Sequence, residues 1–336
     1  MTEIYCSKCG EKNSPTKDYC IKCGSILRKL DNFKVGDKIT SFEDMFTQKH
    51  KEQLNEIPLT NEIYELILNN IYETGKKSLK NKGSTALEKV ADVVEAYAKW
   101  SYKSKGGELG FYSANNIKLD DRLNDSVQIA TLIHELSHHL LAEIHEQILM
   151  YFWEVEKTYE IEVFVQYILA SGTVHLMNEY CAHTVEGRFI PHGYQNYGSF
   201  NSILEEQKDE LDHDTVVISL VLGNTIAEDL IHLLEHFIDE DLRREIKQQY
   251  NKDQLPPSYS QIGMETTDMM DGNSRNELIM GPLAGSFDAA MKNPDFKNVL
   301  NEFLDTFKSF NQWISFKSSP LNAKINFLKV SAFVTV

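Results

Sequence analysis

The residues of this chain best suited to chemistry are His134, Glu135 and His138, in the run Ile129-Ala-Thr-Leu-Ile-His134-Glu135-Leu-Ser-His138-His139-Leu-Leu141. A helix turns once in about 3.6 residues, so two histidines four positions apart lie one above the other on a single face. Neutral imidazoles placed in this way can both ligate one zinc ion. Glu135 stands about 100° further round the helix. From there its carboxylate reaches a zinc-activated water without being a ligand, as a general base must. This is the H-E-x-x-H pattern of zinc hydrolases, in which the metal polarises a carbonyl and acidifies water.

The elements that must position these groups are legible in outline. Ile129, Ala130, Leu132, Ile133, Leu136, Leu140 and Leu141 make the segment strongly apolar, so the histidines are expected in packed surroundings on a core helix. Asp125 with Gln128 three residues later reads as a capping box that starts it. A catalytic zinc takes three protein ligands and keeps one position open, so a third ligand must come from elsewhere. Glu179 is the candidate, on a second helix expected to begin after Ser171-Gly172 and to end at Gly187. His175, Glu179 and His183 fall at i, i+4 and i+8 on one stripe of that helix, and a buried polar stripe needs partners. Zinc is a partner for Glu179, while His183 and His175 are candidates for orienting the ligands. Glu143 and Glu146 are rivals that continue the first helix and point along its axis, and Glu186 is a rival at the end of the second. His232-Leu-Leu-Glu235-His236 spells the inverted signature H-x-x-E-H. Residues 227–248 are nevertheless rich in charge, which fits the wet face of an amphipathic helix.

A second metal site is written at the N-terminus. Cys6-Ser-Lys-Cys9-Gly10 and Cys20-Ile-Lys-Cys23-Gly24 repeat one unit, two thiolates on a tight turn followed by glycine. Four such thiolates close a tetrahedral structural zinc site, and in so short a segment the metal supplies the folding free energy. The segment is similar to the small zinc ribbons at the N-termini of many bacterial proteins. Two zinc ions are therefore expected, one structural and one catalytic.

Composition excludes several classes. The chain has 336 residues, 42% hydrophobic and 25% charged, which is ordinary for a globular protein of about two domains. Its net charge of −16 argues against a general nucleic-acid binder. Residues 1–30 hold six basic and three acidic side chains, leaving −19 on the remainder. No apolar run is long enough to suggest a membrane span, the nearest being Ile161 to Met177, and Met-Thr-Glu-Ile-Tyr-Cys has no signal-peptide character. With four of five cysteines in metal-ligand spacing, a cytoplasmic location is expected.

The remaining pattern predicts an α+β, mostly helical fold. The expected order is a zinc ribbon over 1–28, a linker over 29–57 with one short helix near Ser41 to Gln48, and a zincin-like domain over 58–250. A loop and helical extension over 251–336 follow. Helices are predicted over Leu59 to Leu79 and Thr85 to Tyr102, and a hairpin over Glu108 to Asp120 that could offer a sheet edge to an extended peptide. After the second zinc helix, His192, Tyr194 and Tyr197 lie in a loop where one of them could donate to an oxyanion. Residues 251–276 read as a long loop or lid, Phe287 to Trp313 as amphipathic helix, and Ile325 to Val336 as a strand or docked tail.

Gly110-Phe-Tyr ahead of Ile117-Lys-Leu, the Leu132-Ile-His134-Glu135-Leu-Ser-His138 helix and the later Glu179-Tyr-Cys-Ala182 together resemble the ImmA/IrrE-type metallopeptidases over residues 108–187. The resemblance implies a zincin fold with His134, His138 and Glu179 as ligands, Glu135 as base and a regulatory protein as substrate. It departs at His183, where the wider glutamate-zincin pattern often has Asp or Asn, and in the long stretch from Glu143 to Gly172. The expected function is a zinc metalloprotease acting on a cytoplasmic protein, with the ribbon recruiting a partner. The alternative is a non-catalytic binding or metal-sensing protein built on the same scaffold.

Overall fold

A computed structural model describes residues 4–5, 12–13, 38–103, 109–113, 116–209, 211–257 and 265–308. Cys6, Cys9, Cys20 and Cys23, residues 29–37 of the expected linker, part of the 251–276 loop and the tail from Ile325 to Val336 lie outside the described residues. In the ribbon, β1 (Ile4–Tyr5) pairs antiparallel with β2 (Lys12–Asn13).

The described fold is mostly helical and is built around one helix, α5 (Asp125–Trp153). At 1.5 Å per residue its 29 residues span roughly 44 Å. It is apolar on nearly every side and accordingly buried on nearly every side, with Ile129, Leu132, Ile133, Leu136 and Leu140 fully enclosed. Its N-terminus is not held by the expected capping box. Asn124 is the N-cap without a side-chain bond, and the Gln128 amide donates to the Leu123 carbonyl. Instead the Ser126 amide and hydroxyl donate to Asp253 Oδ2 at 3.0 and 2.7 Å, from the end of α10 (Glu240–Asp253).

Two expectations about the flanking elements change. The short helix expected near Ser41 to Gln48 is present as α1 (Phe42–Met45), but the expected linker also holds α2 (Gln48–Glu56), the two being capped by Ser41 and Thr47. Phe42, Met45, Phe46 and Leu54 are buried in the main core, so this segment belongs to the domain. The helix α3 (Asn61–Ser78) appears as the period predicts, with Tyr64, Ile67 and Ile71 buried. The next helix, α4 (Ala86–Glu95), opens on a true capping box between Thr85 and Glu88 but stops well before Tyr102. Residues Lys99–Lys103 are a strand, β3, parallel to β5 (Asn116–Asp120). The expected hairpin is present as β4 (Gly110–Ser113) antiparallel to β5, giving the sheet order β3-β5-β4. Asp120 donates to the Leu109 carbonyl, so in the alternating pattern of an antiparallel pair Gly110 and Tyr112 turn their backbone groups off the sheet edge.

The rest of the core is helical: α6 (Tyr159–Leu169), α7 (Gly172–Phe189), α8 (Gly198–Gln207), α9 (His213–Leu234), α11 (Gly272–Lys292) and α12 (Pro294–Lys308). α7 lies between α5 and α9. A Cβ on Gly223 would stand 2.9 Å from the Met177 carbonyl, so glycine allows α9 its close approach to α7. α9 is long and apolar enough to cross a membrane, which the sequence reading did not single out, and 67% of its apolar window is buried in the fold. A polar clasp joins α3, α9 and α11. The Arg275 guanidinium lies 3.5 Å from the centre of the Tyr64 ring and donates to Asp229, which also accepts from Tyr64 Oη.

Candidate metal centre

His134, Glu135 and His138 project from α5 and meet Glu179, His183 and Glu186 from α7 in a cleft of about 850 Å³. His134 Nε2 and His138 Nε2 are 3.1 Å apart. Glu179 Oε2 lies 3.6 Å from the first, and Glu179 Oε1 lies 3.5 Å from the second. Ligands bound at about 2.0–2.1 Å to a tetrahedral zinc stand about 3.3 Å apart, so the triangle has the right size.

The hydrogen bonds around the triangle fix its chemistry. Asn178 Oδ1 accepts from His138 Nδ1 at 2.8 Å, and the Asn178 amide nitrogen donates to the Leu169 carbonyl. Glu186 Oε2 accepts from His134 Nδ1 at 3.2 Å. Both imidazoles therefore carry their proton on Nδ1 and turn the Nε2 lone pair inward. Two lone pairs and a carboxylate then converge with no donor among them, an arrangement that a cation satisfies. The donor set, two imidazole nitrogens and one carboxylate, is that of catalytic zinc.

The electrostatics follow from burial and from these contacts. Burial pushes His138 down to about 4, with Glu179 opposing and His134 reinforcing the shift. Burial also disfavours charge on His134, but the Glu179 and Glu186 carboxylates outweigh it and raise its pKa well above the usual value. Glu179 is lowered well below the carboxylate range, because the surrounding imidazoles overcome its desolvation.

Sequence reasoning set Glu186 aside as lying at a helix end, and the structure gives it a central place. α7 runs on to Phe189, so Glu186 is inside the helix, seven residues after Glu179 on the same stripe. Its Oε2 accepts from both His134 Nδ1 and His183 Nδ1, each at 3.2 Å. His183 Nε2 is 2.7 Å from Ser199 Oγ, and that hydroxyl donates to Glu179 Oε2 at 2.6 Å. Glu186, His183 and Ser199 therefore form a relay that ends on the carboxylate of Glu179. His175 Nε2 is 3.7 Å from Glu179 Oε1 and faces the cleft.

Glu135 is buried beside the triangle and lines the same cleft. A Cβ on Gly110 would come within 2.4 Å of Thr131 Cγ2 and 3.2 Å of Glu135 Oε1, so β4 runs this close over α5 only because residue 110 is glycine. Other sequence candidates lie elsewhere. Glu143 and Glu146 pair with Lys157 Nζ, each at 2.6 Å. His232 Nδ1 donates to the Glu228 carbonyl, Glu235 pairs with Arg188 and Arg243, and His236 packs on Tyr72. Among the described residues, the inverted motif therefore gathers no metal group. His192 is exposed, Tyr197 is buried against His183, and Tyr194 lines the cleft with its hydroxyl donating to the Leu255 carbonyl. Among the described residues, two groups have metal-ligand spacing: His134, His138, Glu179 and His134, His183, Glu186. In the second, Glu186 Oε2 already accepts from the Nδ1–H groups of both imidazoles.

The zinc-ribbon family matches residues 5–27, which contain all four cysteines of the repeated unit. The chain thus carries an N-terminal zinc-ribbon domain. The match does not extend to residues 108–187, where the likeness to the ImmA/IrrE-type enzymes rests on the quoted residues alone. No curated protein matches the chain, and no solved structure does.

Proposed function

We propose that the chain is a zinc-dependent peptidase that hydrolyses a peptide bond in a cytoplasmic protein, with a structural zinc in its N-terminal ribbon. The observation that carries this reading is the convergence of His134 Nε2, His138 Nε2 and Glu179 in a cleft that Glu135 also lines. Zinc held there would supply Lewis acidity, which polarises a carbonyl and acidifies water. Asn178 and Glu186 hold the imidazoles in the tautomer that ligation requires, and Ser199 holds Glu179. Glu135 takes a proton from the attacking water and returns it to the departing amine, so peptide and water become acid and amine. The outward backbone groups of Gly110 and Tyr112 on β4 suit an extended substrate added as a further strand. The ribbon, basic against an acidic remainder, recruits a partner protein.

The test is Glu135→Gln, which keeps size and hydrogen bonding and removes the base. Zinc content should be unchanged while peptide hydrolysis falls by about 10² to 10⁴. Full biological effect in that variant would support the non-catalytic alternative instead.

A further inference from the structure

Taking the hydrolase reading as a premise, we infer that the cleft cuts inside an extended chain flanked by apolar or neutral side chains, and trims neither terminus. A carboxypeptidase must neutralise its substrate's terminal carboxylate, and a partly buried carboxylate needs arginine or lysine. Among the described residues lining the cleft there is neither. An aminopeptidase must pair the terminal ammonium with a carboxylate not otherwise used. The cleft's carboxylates are Glu135, Glu179 and Glu186. Glu179 faces the two ligand imidazoles, Glu186 accepts from His134 and His183, and Glu135 is the base. Each is already committed.

The walls on either side of the metal group are neutral. On one side Leu169 and Ala170 close the end of α6, where the Leu169 carbonyl accepts from Asn178, the residue that holds His138. On the other, Tyr250 and Leu255 flank the first turn of α5, tied to it by the Asp253 bond to Ser126. Ser126 precedes His134 by eight residues, roughly 12 Å along the helix axis, so this wall stands apart from the first. A chain passing along β4 would meet apolar surface before and after the metal. Charge acts in the same direction: the −19 carried outside residues 1–30 repels an acidic segment and favours a neutral or basic one.

The experiment gives the zinc-loaded full chain a pool of short synthetic peptides in two forms, free-ended and both N-acetylated and C-amidated, with products read by mass spectrometry. Glu135→Gln supplies the background. The same internal bonds should be cut in both forms at comparable rates, and glutamate placed beside the scissile bond should slow cleavage by at least about tenfold. Ala170→Lys adds an ammonium to one neutral wall and should raise the relative rate on the glutamate-flanked peptides. Cleavage confined to free-ended peptides, or a native preference for glutamate, would overturn the inference and leave the hydrolase standing. A zinc-loaded chain that cuts no peptide in either form would overturn both.

Discussion

Replacing Glu186 by alanine should weaken zinc binding at the α5–α7 site without removing a ligand. In the structure one carboxylate oxygen accepts from His134 Nδ1 and His183 Nδ1 at 3.2 Å each. Its loss leaves two buried imidazole N–H groups without an acceptor and frees the His134 ring to adopt the other tautomer. Loss of such an orienting partner costs about 10- to 100-fold in metal affinity, equivalent to about 1.4–2.7 kcal/mol. Glu186→Gln retains an acceptor oxygen and loses only the charge, so its effect should be smaller. Competition against a chromophoric chelator measures the affinity, and thermal unfolding of the metal-free variants shows whether the fold has survived. Native affinity in Glu186→Ala would refute the orienting role. Complete loss of zinc there, with retention in Glu179→Ala, would move the metal to His134, His183 and Glu186.

Three further outcomes are expected. Arg275→Ala leaves Asp229 without its ion pair in a site where burial already raises that carboxyl, so the fold should lose about 3 kcal/mol, read as a lower Tm, and an unchanged Tm would contradict the clasp. Burial lifts Glu146 from 4.5 to about 8, despite the Lys157 ammonium beside it. A carboxyl raised on folding contributes fully below its unfolded pKa, and that contribution is lost as pH rises from about 4.5 through about 8. Glu146→Gln copies the protonated form and should flatten the decline of Tm over that window, while an identical pH profile would argue against it. Deleting residues 1–30 should remove one zinc and leave cleavage of small peptides intact while impairing action on the protein target. Loss of all peptide cleavage would make the ribbon part of the catalytic fold.

What could be read from the sequence was whatever depends on one helix's own period. The spacing of His134 and His138 and the stripe through His175, Glu179 and His183 place these side chains wherever the helices pack, and the structure brings both sets to one cleft. Glu186 continues that stripe, but the sequence ends the helix at Gly187, whereas tertiary contacts carry it to Phe189. Features set by distant residues were not legible. Trp100 fits the helical period of α4, yet pairing with β5 draws residues 99–103 into a strand. Asp125 and Gln128 have capping-box spacing, but the cap comes from Asp253, 127 positions from Ser126. α1 falls where a short helix is expected, but α2 shows no sustained period, and only the cap Thr47 signals it.

The central claim is that zinc sits on His134, His138 and Glu179, and anomalous scattering at the zinc edge from crystals of the full chain tests it directly. The account predicts a peak about 2.0–2.1 Å from both Nε2 atoms and a Glu179 oxygen, separate from the thiolate-bound zinc of the ribbon. A peak among His134, His183 and Glu186, or zinc found only in the ribbon, would contradict it.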